Sequence, residues 1–350
     1  MGTQITTSFT DSNSKDAWQS LVDRRLLMRG VYNHFCQMFT TKKPLGARQG
    51  KTMLFRRYAA PSKQTTALTE GVTPTPISKS KTDVNATLAA YGAWMENSDF
   101  LELTLPEGTL DDVDQLSQNM GETMDLLYAI MWASDVTNIV YSSGTSEATV
   151  TSLAVYEDYN KAIRTLRNNK AKRMTPMVSG STKLGSGSIM PGYWMICSES
   201  QFYDIRGGDT FKGRFRLPSD YSSLGSALDG EGGALDVGIR ILPVPDSDLD
   251  DGNDSGLVTS DTGSSSIDTN VVKSTGATSA DVHYGVIIGQ EAAASVSLGN
   301  DNGGIIRTSL GSAMGADPLR QRSTIGWKKY DARTILNAAF MCHVATAVSA

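Results

Sequence analysis

The residues best placed to do chemistry in this chain are Gly46-Ala47-Arg48-Gln49-Gly50-Lys51-Thr52, a glycine-bounded turn ending in Lys-Thr. A phosphate-binding loop ends the same way, with backbone amides around the phosphates and the Lys reaching over them. That loop needs one more residue between its glycines than the three found here. No apolar strand precedes the turn, and the residues after it read as a strand. A helix N-terminus, which would hold phosphate, is missing from that pattern. A nucleotide hydrolase using Lys51 and Thr52 is therefore the weaker reading, and a glycine-flanked turn entering a hairpin is the stronger.

Asp246, Asp248, Asp250 and Asp254 occupy the first, third, fifth and ninth places of a calcium-loop pattern. The sixth place, where a sharp turn wants Gly, is Asp251, and the twelfth, where a bidentate Glu is wanted, is Leu257. A calcium-dependent decoration or surface-binding protein is thus a further alternative, and a solvated loop the better reading. His34, His283 and His343 have no carboxylate or Cys at ligand spacing, so packing roles are expected. No Gly-x-Ser-x-Gly elbow and no His-Glu-x-x-His occurs, and Gly185-Ser186-Gly187 lacks the later glycine of a dinucleotide loop. The residues predict no enzyme, no cofactor and no metal centre.

Positioning any of these residues requires a folded body. The chain has 350 residues, enough for one large domain or two ordinary ones. Hydrophobic residues make up 39% and charged residues 20%, which supports a core and excludes wholesale disorder. The net charge of −5 argues against a nucleic-acid binder by composition. Its distribution is uneven: residues 1–60 hold ten Lys and Arg against Asp11, Asp16 and Asp23. A basic arm on an acidic body can dock onto another copy or face nucleic acid, with solvated surface charge as the equal alternative. Cys36, Cys197 and Cys342 are widely spaced, so a reducing compartment without disulfides is expected. Neither a signal peptide nor a membrane-length apolar run is present, which predicts a soluble chain made inside a cell.

Apolar residues at helical spacing from Trp18 to Phe39 predict a helix starting near Ser14. The pattern breaks from Thr41 to Gly50. Residues 51–58 and 84–95 read as two strands flanking a polar excursion with Pro61, Gly71, Pro74 and Pro76. A two-stranded ribbon alone is barely stable, so it needs a surface to lie on, its own body or a neighbour. Val113, Leu116, Met120, Met124, Leu127 and Met131 predict a long helix over 110–140, capped at Thr109 and about 45 Å long. A second helix is expected near 152–167, with a basic far end. Strands are predicted at Tyr193 to Cys197, Ile239 to Val244, His283 to Gly289, Ile325 to Lys328 and Phe340 to Val344. Residues 246–281 hold eight Asp against Lys273 and read as an exposed acidic loop.

Five segments occur in an order that resembles the major capsid proteins of N4-like podophages, tailed bacteriophages. They are Gly50-Lys51-Thr52-Met53-Leu54-Phe55-Arg56-Arg57-Tyr58, then Leu68-Thr69-Glu70-Gly71-Val72, then Ala90-Tyr91-Gly92-Ala93-Trp94. Gly285 to Ala292 is the fourth. The last is Asp317-Pro318-Leu319-Arg320-Gln321-Arg322 running on to Gly326-Trp327-Lys328, the most distinctive piece. The resemblance implies an α+β chain with the tailed-phage and herpesvirus capsid fold of the Hong Kong ninety-seven type. Carried onto this sequence it implies an N-terminal arm at 1–45 and an extended β-hairpin loop at 46–95. A peripheral domain with a spine helix would span 96–149, an axial domain with the acidic loop 246–281 would span 150–315, and C-terminal strands of the peripheral domain would span 316–350. The implied function is structural: pentamers and hexamers forming an icosahedral head around double-stranded DNA, located in the virion and assembled in the host cytoplasm. The implied partners are other copies of the chain, a scaffolding protein, a portal and decoration proteins. Candidate inter-subunit residues are Arg48, Lys51, Arg56, Arg57, Glu70 and Trp327. No covalent cross-link between subunits is expected.

Overall fold

The structure is a computed structural model that describes residues 35–46, 48–104, 108–135, 137–175, 191–218, 230–269, 271–276, 278–299, 304–308, 319 and 321–350. The helix expected from Ser14 lies outside these residues as far as position 34, and so does His34. Gly185-Ser186-Gly187 and, within the C-terminal motif, positions 317, 318 and 320 also lie outside them. Residues 35–40, expected to end that helix, form a turn instead, with Met38 N bonded to the Phe35 carbonyl and Thr40 N to that of Gln37.

The chain opens with β1 (Thr41–Leu45), then β2 (Thr52–Tyr58), β3 (Lys81–Thr87) and β4 (Ala89–Ser98). A short helix (Asp99–Thr104) leads to the long helix (Gly108–Ala133), β5 (Ile139–Tyr141) and a third helix (Tyr156–Asn168). Next come β6 (Tyr193–Ser198), a fourth helix (Glu199–Gly207), β7 (Phe215–Arg216), β8 (Gly233–Leu235) and β9 (Ile239–Val244). A four-residue helix (Asp246–Leu249), β10 (Val258–Thr259), β11 (Val282–Ile288), β12 (Ala293–Leu298), β13 (Gly304–Thr308), β14 (Arg322–Ile335) and β15 (Met341–Ala347) complete it.

Two large sheets carry the body. In the first, β14 pairs antiparallel with β4 on one side and with β12 and β13 on the other, and β1 adds parallel to β12. In the second the order is β5-β15-β11-β6-β9-β8-β7, with β10 beside β11. The sheets do not divide along the expected domain boundaries. β12 and β13, within 150–315, belong to the first sheet, while β15, within 316–350, runs between β5 and β11 in the second. Pairings over such sequence distances leave no trace in local periodicity.

The second sheet is covered on both faces, as its continuous apolar strands require. Tyr193, Met195, Ile239, Ile241 and Ile287 face the Tyr156–Asn168 helix through Tyr159, Ile163 and Leu166. Trp194, Ile196, Leu242, Val244 and Val286 face the other way and share a core with the long helix. That helix buries Val113, Leu116, Met120, Met124, Tyr128, Met131 and Trp132: the predicted stripe except Leu127, which is half-buried, with two aromatics added. It has 26 residues and is about 39 Å long, ending at Ala133 rather than 140. Ser134 and Asp135 explain the stop: Ser134 Oγ bonds the Met131 carbonyl at 2.7 Å and Asp135 Oδ1 takes the Thr137 amide at 3.1 Å. Such local side-chain bonds offer the backbone an alternative to helix.

Three further expectations change. Thr41–Leu45 is a strand, not a break; Pro44 is tolerated because β1 lies at a sheet edge. The expected strand 84–95 is two strands, β3 in the ribbon and β4 in the body, separated at the buried Leu88, whose amide bonds the Lys51 carbonyl at 2.9 Å. Residues 246–281 are not a solvated loop, since Leu249, Leu257, Val258, Val272 and Ala280 are buried. The Asp side chains there organise the chain. Asp281, 2% exposed, takes the Asp261 amide at 3.0 Å and the Thr275 amide and hydroxyl at 3.0 and 2.7 Å. Burial alone would raise the Asp281 carboxyl; these donors hold it below the usual carboxylate range.

Candidate assembly interface

Among the described residues, the groups weighed from sequence are not brought together in one place. The turn from Gly46 closes through Gln49 N to the Gly46 carbonyl at 3.3 Å, with Arg48 and Gly50 at φ 66° and 96°. A strand does precede it, contrary to expectation, but Lys42 and Lys43 are exposed on it. β2 comes directly after, so the turn does not open a helix, and Thr52 Oγ1 pairs across the ribbon with Thr87 Oγ1 at 3.2 Å. The calcium-pattern carboxylates serve different partners: Asp246 takes the Ser200 amide at 3.3 Å, Asp250 the Gly252 amide at 2.8 Å and Asp254 the Ser260 amide at 2.9 Å. No group of three or more His, Cys, Asp or Glu is placed to hold a metal among the described residues. His283 is buried with Nδ1 2.6 Å from Ser198 Oγ, and His343 Nε2 lies 2.9 Å from the Trp132 carbonyl. Both are packed in strands, as expected.

What the structure builds is a ribbon. β2 and β3 pair in register from Thr52↔Thr87 to Tyr58↔Lys81, and Ala59 N bonds the Ser80 carbonyl at 3.0 Å. The base lies on the chain's own body, where Phe55, Ala86 and Leu88 pack with Leu45, Ala294, Val296 and Ala332. Arg57 donates to the Leu336 carbonyl at 3.3 Å and to Asn337 Oδ1. Beyond this base every residue from 59 to 80 is exposed, including Leu68, Val72 and Ile77. Positions 41–88 also carry nine Lys and Arg against Glu70 and Asp83, so the early positive charge gathers along the ribbon.

The six interface candidates separate accordingly. Arg48 and Lys51 are exposed at the ribbon's root and Glu70 is exposed at its tip. Arg56 pairs across the strands with Asp83 at 2.8 Å, which raises the one pKa and lowers the other through a shared hydrogen bond. Arg57 is engaged with its own body. Trp327 is a correction: it is 3% exposed and donates Nε1 to Asn119 Oδ1 at 3.1 Å, so it packs between β14 and the long helix of its own chain. The strand's period explains this, because Ile325 and Trp327 face inward while Lys328, on the opposite face, is exposed.

The tryptophan that does face outward is Trp94, 65% exposed. Its register partner is Gly326, whose other partner is Ile306, itself 58% exposed. Trp94, Gly326 and Ile306 thus form one row across the outer face of the first sheet. Two glycines keep that row open. A Cβ on Gly326 would stand 2.8 Å from the Trp94 Cβ, and one on Gly92 would stand 2.5 Å from the Trp327 carbonyl. The result is a shallow, mainly apolar groove of about 320 Å³ with Lys328 at one end. The alternation of β4 signals it in the sequence: Ala90, Gly92, Trp94, Glu96 and Ser98 share the exposed face.

Comparison with solved structures places this architecture. The capsid of Ralstonia phage GP4 matches with a TM-score of 0.60 at 10% identity, over 89% of this chain and 87% of that one. The head structure of Helicobacter pylori bacteriophage KHP40 matches with a TM-score of 0.57 at 14% identity, over 90% of each chain. The acid-stable capsid of Helicobacter pylori bacteriophage KHP30 matches with a TM-score of 0.57 at 15% identity, over 88% of each. No protein-family model and no curated protein matches the chain. The fold is α+β and of the Hong Kong ninety-seven type.

Proposed function

We propose that this chain is the major capsid protein of a tailed bacteriophage, a structural protein without a catalytic role. Its copies form pentamers and hexamers, and these close an icosahedral head around double-stranded DNA. The order of the sequence motifs favours the N4-like podophage kind, with a scaffolding protein, a portal and decoration proteins as further partners, assembly in the host cytoplasm and residence in the virion.

One observation carries this reading: the ribbon is anchored at its base and unsupported at its tip. Leu68, Val72 and Ile77 stand in solvent, where an apolar cluster has no reason to be unless another surface covers it. The outer groove at Trp94 and Ile306 is the complementary exposed apolar surface of the same chain. Tip of one copy on groove of the next, with Glu70 toward Lys328, completes both. Interfaces of this obligate kind bury of order 2,000 Å² or more, and many simultaneous contacts multiply modest ones.

Sedimentation velocity with negative-stain imaging tests the proposal. Closed shells, or rings of five and six, are expected from the purified chain. Trp94→Ser should reduce them while leaving the melting temperature of the free chain near its original value, because the side chain is already in water. A compact monomer at every salt and protein concentration, with no shells even when the scaffolding protein is supplied, would refute the reading.

A further inference from the structure

Residues 35–40 form a turn that the long helix clamps. Asp125 Oδ1 accepts the Cys36 amide at 2.8 Å, and Trp132 Nε1 donates to the Cys36 carbonyl at 2.9 Å. The Tyr128 hydroxyl accepts from the Gln37 side-chain amide at 3.1 Å and donates to Asp331 Oδ1 at 2.9 Å. Cys36 and Asp125 are both fully buried.

Asp125 uses only one of its two oxygens. Oδ2 is buried with no hydrogen-bond partner. The charge facing it has its own sign: Asp248, from the Asp246–Leu249 helix. Asp248 in turn feels Glu122, one turn earlier on the long helix. The Cys36 thiol is the titratable group on the turn itself, and it feels both Asp125 and Asp248. Among the described residues, none of the charges acting on Asp125 is positive. A buried carboxylate needs several donors or a cation to stay ionised. With only the Cys36 and Phe35 amides to favour the charge, Oδ2 left without a donor and a like charge nearby, the neutral acid is the form that fits.

We propose that Asp125 is a proton-operated latch on the 35–40 turn: neutral, it keeps that turn closed against the long helix, and its ionisation opens it. Burial pushes the Asp125 carboxyl up to about 7, against the opposing pull of the Cys36 and Phe35 amides. An opened turn returns the group to water and to its ordinary value of 3.8. The closed form therefore binds a proton that the open form releases, between 3.8 and about 7. Closure is strongest in acid and is lost progressively as the pH rises through that window, with no further change above it. The device is independent of shell formation, since every group in it belongs to one chain.

Cys36 reports the opening, and the buried Cys197 and Cys342 serve as controls. The rate of Cys36 modification by a thiol reagent is measured from pH 5 to pH 8.5 in the native chain and in Asp125→Asn. The ratio of the two rates cancels the reactivity of the thiolate itself. That ratio should rise about tenfold per pH unit between pH 5 and 7 and then level. Asp248→Asn should move the levelling point to lower pH. The same ratio for Cys197 and Cys342 should stay flat. A flat ratio for Cys36, or an equal rise at all three cysteines, overturns the proposal. If Asp125→Asn does not fold, the Cys36-to-Cys197 ratio of the native chain reads the same slope.

Discussion

Phe55 is the residue on which attachment of the ribbon to its own body rests. Its ring is 8% exposed and packs with Leu45, Ala294, Val296 and Ala332. Phe55→Ala removes that ring from a site rimmed by small residues that cannot move in to fill the space. Truncating a buried Phe costs about 3–5 kcal/mol, and a ring at the margin of the body belongs at the low end. Met53 and Val84 stay half-buried beside it, and Arg57 still reaches Leu336 and Asn337. The loss is thus a local one of about 3 kcal/mol, roughly a 150-fold rise in the open population at 1.36 kcal/mol per tenfold. Hydrogen exchange is the assay. The Leu88 amide, bonded to Lys51, and the β2–β3 ladder should lose protection by that factor, while β6 and β11 keep theirs. Unchanged ladder protection would mean that the ribbon is stable by itself, against the expectation for two strands. Equal loss in β6 and β11 would mean that ribbon and body unfold as one unit. Either result refutes the reasoning.

Two other outcomes follow from buried charge. Arg240 pairs with Glu231 at 2.7 Å, with side chains 8% and 0% exposed, and its guanidinium lies 4.8 Å from the Trp194 ring centroid. Arg240→Met leaves the Glu231 carboxylate buried without that cation and should cost about 3–5 kcal/mol in chemical denaturation, while adding Glu231→Leu should recover most of the loss. His283 is neutral in the folded chain because burial pushes its pKa down to about 4. Its contribution to stability is complete above the ordinary histidine value of 6.5 and is lost as the pH falls toward 4. Asp125 acts in the opposite direction over much of the same range. The comparison is therefore between variants: His283→Gln should flatten the fall in melting temperature from pH 7 to pH 4.

The local elements were legible in the sequence because their causes are local. The stripe from Val113 to Met131 specified the long helix, the β-branched runs at Ile239 and His283 specified buried strands, and the turn residues from Pro61 to Pro76 specified an exposed tip. The absence of a catalytic pattern was also readable, because catalytic motifs depend on residue types at short spacing. The order of five motifs pointed to the capsid fold before any coordinates. Tertiary structure decided the rest, because the forces responsible act between segments far apart in sequence. Thr41–Leu45 is a strand only because Ala294–Leu298 lies beside it. Ala89–Ser98 leaves the ribbon for the body because β14 offers a longer ladder. The Asp residues of 246–281 read as a solvated run until folding brought amides to them. Trp94 and Trp327 are equivalent as residue types, and pairing through Gly326 placed one in water and the other in the core. Nothing in the sequence marks Asp125 as buried; the turn at Cys36 and the helix at Asp248, distant in sequence, enclose it.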